Sequence, residues 1–193
     1  MASDREVADG MLWYPRAYSS CRAMACRYDL PTETVAAVVA ALSPNNQWER
    51  NLRDADALIR AFCMGDEDDI KATKVATYGL NKRKAIRILR GEPPLSVLGG
   101  LKVRNFFQSI MLQPGACCVD GHAFAIWKGE YIPVSKTPTI SAKLYEAIVA
   151  DYHRAAETIT TITGTACSAS QAQAVAWTVW QRIRRSLTTG AGK

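Results

Sequence analysis

Apolar residues recur along this chain at steps of three and four, and nowhere is the alternation that marks a strand sustained. That period restricts the chain to helices packed on helices. From Gly10 to Arg27, Trp13, Ala17, Cys21 and Met24 lie on one stripe. Leu30-Pro31-Thr32 marks a helix start, and Val35, Val38, Val39 and Leu42 follow as a strongly apolar helix expected at the centre of the core. Ser43-Pro44 ends it, because the residue before a proline is pushed out of the helical region. Asn45 or Asn46 is placed to cap the next helix, which carries Trp48, Leu52, Ala55, Leu58, Ile59 and Phe62. Past Gly79-Leu80-Asn81 comes a basic helix with Ala85, Ile86, Ile88 and Leu89 inward, closed by the turn Gly91-Glu92-Pro93-Pro94. Leu98-Gly99-Gly100 is a tight turn opening a helix from Lys102 to Met111. Gln113-Pro114-Gly115 is a loop leading to Val119-Asp120-Gly121-His122 and a further helix through Trp127. Residues 129–139 read as loop, helices from Ser141 to Glu157 and from Ser168 to Leu187 follow, and a tail from Thr188 to Lys193 is expected to fray.

With 193 residues, 48% of them hydrophobic and 22% charged, the chain has the material for one packed domain with two lobes and not for a disordered tail. No apolar run approaches the ~18–20 residues that a membrane-spanning helix needs. Met1 to Gly10, with Asp4, Glu6 and Asp9, lacks the apolar stretch of a signal peptide, so a cytoplasmic monomer is expected. Cys21, Cys26, Cys63, Cys117, Cys118 and Cys167 form no Cys-x-x-Cys pair and no four-cysteine cluster run. They read as reduced, mostly buried small residues, and neither a metal nor a cofactor is expected. A net charge of +6 permits a polyanionic partner without requiring one. The stretch 71–91 holds Lys71, Lys74, Lys82, Arg83, Lys84, Arg87 and Arg90 and no acid, while Asp66, Glu67, Asp68 and Asp69 form an opposite pole. A solvated helix face is the commoner reading of such a cluster taken alone.

The order of these pieces carries more than any one of them. A basic helix, a glycine turn at Leu98-Gly99-Gly100, a helix starting near Lys102, a Pro-Gly loop and then Val119-Asp120-x-His122 together resemble the endonuclease III-like helix-hairpin-helix DNA glycosylases. The separation of Lys102 from Asp120, 18 residues, matches that family's spacing. Leu80-Asn81-x-x-Lys84-Ala85 resembles its Asn-x-Lys-Ala helix start, and Ala40 to Asn46 resembles its Leu-Leu-Ser-x-Gln-x-Thr segment. The likeness covers residues 30–128, with the helices at 10–27 and 141–187 completing the second lobe of a single domain over 1–193. Its short length suits a compact, phage-encoded member. Departures are visible: Val97-Leu98-Gly99-Gly100 stands where the family has Pro-Gly-x-Gly, Gly121 replaces the Thr of Val-Asp-Thr-His, Ala125-Ile126-Trp127-Lys128 lacks the Arg that follows the His, and the iron–sulfur module is missing.

The resemblance implies an all-α, two-lobed fold acting on duplex DNA with the base flipped into a pocket between the lobes. Gly99 and Gly100 would let backbone N–H groups approach a phosphate at a helix start, with Leu98, Lys82, Lys84 and His122 as further DNA contacts. Asn45, Asn46 and Gln47 would fill the gap left by the base. Asp120 would stabilise positive charge on the sugar and deprotonate a nucleophile. Lys102 matches the Schiff-base lysine, which would add strand cleavage by β-elimination. Plainer readings stand beside these. Asp120 suits a helix N-cap, Lys102 a phosphate contact, and His122 a structural hydrogen bond. The five tryptophans suit the core, Trp48 being the one nearest the Asn45–Gln47 loop. Besides a glycosylase that excises a damaged or modified base, the sequence admits a base-modifying transferase on the same scaffold and a non-catalytic DNA-binding or inhibitory module.

Overall fold

In a computed structural model, which describes residues 2–190, the chain is all-helical with no strand among the described residues. Its contacts divide it into two compact units, one comprising the residues up to Arg16 together with those from Leu112 onward, the other running from Ala17 to Met111.

The middle unit is built around one helix. α1 (Asp4–Met11) and α2 (Trp13–Tyr28) precede it, and α3 (Thr32–Leu42) is buried on every side from Val35 to Leu42. A helix apolar all round needs neighbours on all faces. It has them in α4 (Trp48–Met64), α6 (Gly79–Leu89) and α8 (Leu101–Ile110). Leu58 and Ile59 on α4, Ile88 on α6, and Phe107 and Ile110 on α8 supply the opposing surfaces. The buried Asn51 amide donates to the Val39 carbonyl at 3.0 Å, tying α4 to the central helix. Two short helices were not expected from the sequence. α5 (Glu67–Ala72) is a capping box in which Asp66 and Asp69 satisfy each other's backbone, so the acidic pole is a helix start. α7 (Pro94–Val97) begins with proline at its first position, where the missing N–H costs nothing.

The terminal unit pairs α1 with α11 (Ala169–Gly190) and sets α9 (Gly121–Lys128) and α10 (Ala142–Thr163) beside the latter. Gly10 sits where α1 crosses α11, since a Cβ there would lie 2.4 Å from the Val175 Cα. The helix expected from Gly10 to Arg27 is α2 from Trp13 onward, while Gly10 and Met11 end α1, an unexpected helix started by a capping box of Ser3 and Glu6. α10 runs past Glu157 to Thr163, where Gly164 at φ 67° ends it. α11 continues through residues 188–190, read as part of a frayed tail, while residues 191–193 lie outside those described. A single 3-10 turn, Val134–Lys136, interrupts the loop between α9 and α10. Of the cysteines, Cys21, Cys117 and Cys118 are buried and all six are free, but Cys26 and Cys63 are exposed. All five tryptophans are partly buried, and Trp127 packs against the buried cluster that includes Phe124 and Ile148.

Candidate functional site

In the terminal unit the buried run Ala116–Val119 leads directly into α9. Asp120 has extended backbone, φ −109° and ψ −174°, and stands as the N-cap of that helix. Its Oδ1 accepts the amides of His122 at 3.0 Å and Ala123 at 2.8 Å. A helix start leaves four amides without intrahelical partners, and one carboxylate oxygen here satisfies two of them. The cap uses Oδ1 alone and leaves Oδ2 out of it.

The segment that carries Asp120 is gripped from α10. The Tyr145 hydroxyl donates to the Cys117 carbonyl at 2.9 Å and accepts the Val119 amide at 3.0 Å. One turn pair further on, the Tyr152 hydroxyl donates to the Ala123 carbonyl at 3.2 Å. Both rings belong to a core cluster with Cys117, Val119, Phe124, Ile148 and Ala169. Burial, above all, pushes both phenols above their ordinary value, and nearby acidic groups including Asp120 add to it. Each hydroxyl therefore keeps its proton and stays a donor. Burial likewise pushes the Cys117 thiol up to about 12, so it is an inert core group whose Sγ points at the Ala169 carbonyl.

Two further side chains, Arg184 and Thr137, lie at the start of α9. An Nη1 of Arg184, on α11, lies 3.4 Å from both ring nitrogens of His122. Thr137, from the loop after α9, lies against Gly121, where a Cβ would meet its Oγ1 at 2.7 Å. That hydroxyl is buried and has no hydrogen-bond partner among the described residues. Glycine at position 121 is thus required by the packing of this loop. Tyr131 reaches α11 as well, its ring 6.3 Å from that of Trp180. Sequence reasoning missed Tyr145, Tyr152, Thr137 and Arg184. The tyrosines were findable, since a spacing of seven puts them on one face of a helix. Nothing in the sequence pointed to Arg184 or Thr137.

The glycine turn lies in the middle unit. Leu98 is buried and Gly99 exposed, and Gly100 has φ 77°, a conformation that favours glycine, immediately before α8. Lys102 is exposed at the second position of α8. Arg104 Nε donates to the Leu98 carbonyl at 2.8 Å, and Lys84 Nζ lies 3.3 Å from where a Cβ on Gly99 would be. Asn45 has φ 57° and its amide donates to the Tyr78 hydroxyl at 3.0 Å. Asn46 donates to Asp54 at 2.9 Å, a carboxylate that also accepts the Ala76 amide at 2.7 Å. These amides stitch residues 43–47 to the loop before α6, while the exposed Gln47 caps α4 with no side-chain hydrogen bond. Trp48 meets Phe106 edge to face at 6.4 Å.

The basic stretch is less open than its composition implies. Lys71 pairs with Asp68 at 3.1 Å, Arg87 with Glu92 at 2.5 Å and Arg90 with Glu67 at 2.5 Å. Lys82 donates to the carbonyls of Lys71 at 2.9 Å and Thr73 at 2.6 Å, and its burial lowers its pKa. It braces the end of α5. Lys74, Arg83 and Lys84 are outside these pairs.

Among the described residues no helix is long and apolar enough to cross a membrane, and no three His, Cys, Asp or Glu converge as a metal site. No curated protein and no solved structure matches the chain. One family does, over residues 1–184, and the chain belongs to it: the family of unknown function DUF7178.

Proposed function

We propose that the protein is a DNA N-glycosylase in which Asp120 is the key carboxylate. The observation that carries this is the capping geometry. One oxygen, Oδ1, is fixed by two amides, and the other stays outside the cap, on a segment pinned by buried hydroxyls. Leaving of a base with its bonding electrons builds positive charge on the sugar, and a carboxylate already fixed in place stabilises that charge without reorganising. The glycine turn at Gly99-Gly100 supports a phosphate contact that anchors the strand without reading its sequence. Lys102, exposed near the start of α8, offers an amine for attack on C1′ and strand cleavage.

The test is incubation of wild type and Asp120→Asn with duplexes carrying uracil, hydroxymethyluracil, oxidised guanine, alkylated purines or mismatches, scoring abasic sites with and without borohydride. Asparagine caps a helix about as well as aspartate, so the substitution removes charge and keeps the cap. Base release by wild type and none by the variant is expected, with a borohydride-trapped adduct that Lys102→Ala abolishes. Tight binding with every substrate left intact defeats the proposal. It would favour the non-catalytic reading, in which the cap is the whole role of Asp120.

A further inference from the structure

We infer that Tyr145 and Tyr152 are positioning residues for Asp120, setting the place of its carboxylate through the backbone on either side of it. The inference rests on the reading of Asp120 as the working carboxylate. Its basis is the distribution of three hydrogen bonds over the seven residues from Cys117 to Ala123. Upstream of Asp120, the Tyr145 hydroxyl takes up both the Cys117 carbonyl and the Val119 amide. These groups lie on a stretch outside any helix, in a fully buried place where a lost partner is costly. Downstream, the Tyr152 hydroxyl holds the Ala123 carbonyl, one residue of the pair whose amides Oδ1 accepts. Asp120 is thus suspended between two points fixed on one rigid helix.

The placement of the phenols suits this task. Both hydroxyls are buried and spend their proton on a backbone carbonyl, and burial raises both phenols, so each keeps its proton and holds the backbone. What they restrict is backbone movement, and a carboxylate displaced by an ångström loses much of its electrostatic effect on a reacting centre. Phenylalanine preserves the packing in the cluster around Ile148 and removes only the hydroxyl.

The experiment is amide hydrogen exchange by NMR on wild type, Tyr145→Phe and Tyr152→Phe, with kinetics of base release alongside. In Tyr145→Phe, exchange at the His122 and Ala123 amides should accelerate about tenfold, as expected for loss of two modest hydrogen bonds, with the α3 amides unchanged. Tyr152→Phe should give the same pattern with a smaller factor, and it decides the matter if Tyr145→Phe does not fold. Where wild type releases base, the variants should lose kcat and keep KM. Unchanged exchange at both amides, acceleration spread evenly over the whole chain, or full kcat despite local acceleration overturns the inference. Exchange is read without substrate. A wild type that releases no base therefore refutes the glycosylase reading alone, while the exchange data still judge the positioning.

Discussion

At the scale of single residues, two readings of Asp120 that competed in the sequence prove compatible in space. The same side chain caps α9 through Oδ1 and leaves Oδ2 outside the cap. Stability and the proposed chemistry can then be separated by substitution. Asp120→Ala should cost about 1 kcal/mol of unfolding free energy and Asp120→Asn only a few tenths, because asparagine keeps an accepting oxygen at the cap. Urea denaturation of both variants checks this, and equal losses would mean that charge, not the cap bond, holds the helix start. Lys82 shows the opposite outcome. In the sequence it is one more cation of a basic helix, but two carbonyls of residues 71 and 73 claim its ammonium. No pattern of spacing announces such a contact, since it depends on where α5 ends relative to α6.

At the scale of elements, helices with long apolar stripes were legible and short ones were not. α3, α4, α6, α8 and α9 begin and end within a few residues of the positions their stripes and breaks predict. α5 and α7, with six and four residues, are too short to show a period. α1 went unread because its signal lies in its cap. The Ser3 amide donates to Glu6 at 2.8 Å, and Glu6 also takes the Arg182 guanidinium of α11 at 2.7 Å. The Arg182 hydrogen bond, then that from Ser3, holds the Glu6 carboxyl down at about 2, below its ordinary 4.5. A carboxyl lowered by folding stabilises the fold above its unfolded value and loses that contribution as pH falls through the folded one. The contact of α1 with α11 should thus be at full strength above pH 4.5 and be lost as pH approaches 2. Followed across that window, the melting temperature of Glu6→Gln should fall less than that of wild type. Parallel curves would show that the pair contributes nothing.

For the whole molecule, net charge overstates how many cations of the basic stretch are available to a polyanion such as the proposed DNA substrate. The chain carries +6, yet Lys71, Arg87 and Arg90 of the basic stretch are paired with acids and Lys82 is committed to carbonyls. Under the proposed function, Lys74, Arg83 and Lys84 would be its contribution to phosphate binding. If this stretch dominates DNA binding, log K against log salt should have a slope of about −3, at roughly 0.9 per phosphate neutralised. Fluorescence anisotropy of a labelled duplex from low to physiological salt measures it. A slope twice as steep would mean that the internal ion pairs open on DNA or that other cations carry the contact.

The sequence by itself determined that the chain is helical, which helix is buried on all sides, and where the glycine turn and Asp120 punctuate it. Those properties are written in hydrophobic period, in proline and glycine, and in capping chemistry, each of which acts within a few residues along the chain. Only the tertiary structure decided what surrounds Asp120. Arg184 reaches His122 from 62 positions away, Tyr145 reaches Val119 from 26, and Thr137 fills the space that Gly121 leaves. Contacts at such separations follow from how the helices pack against one another, and side chains of ordinary type carry no local mark of the partner that packing will give them.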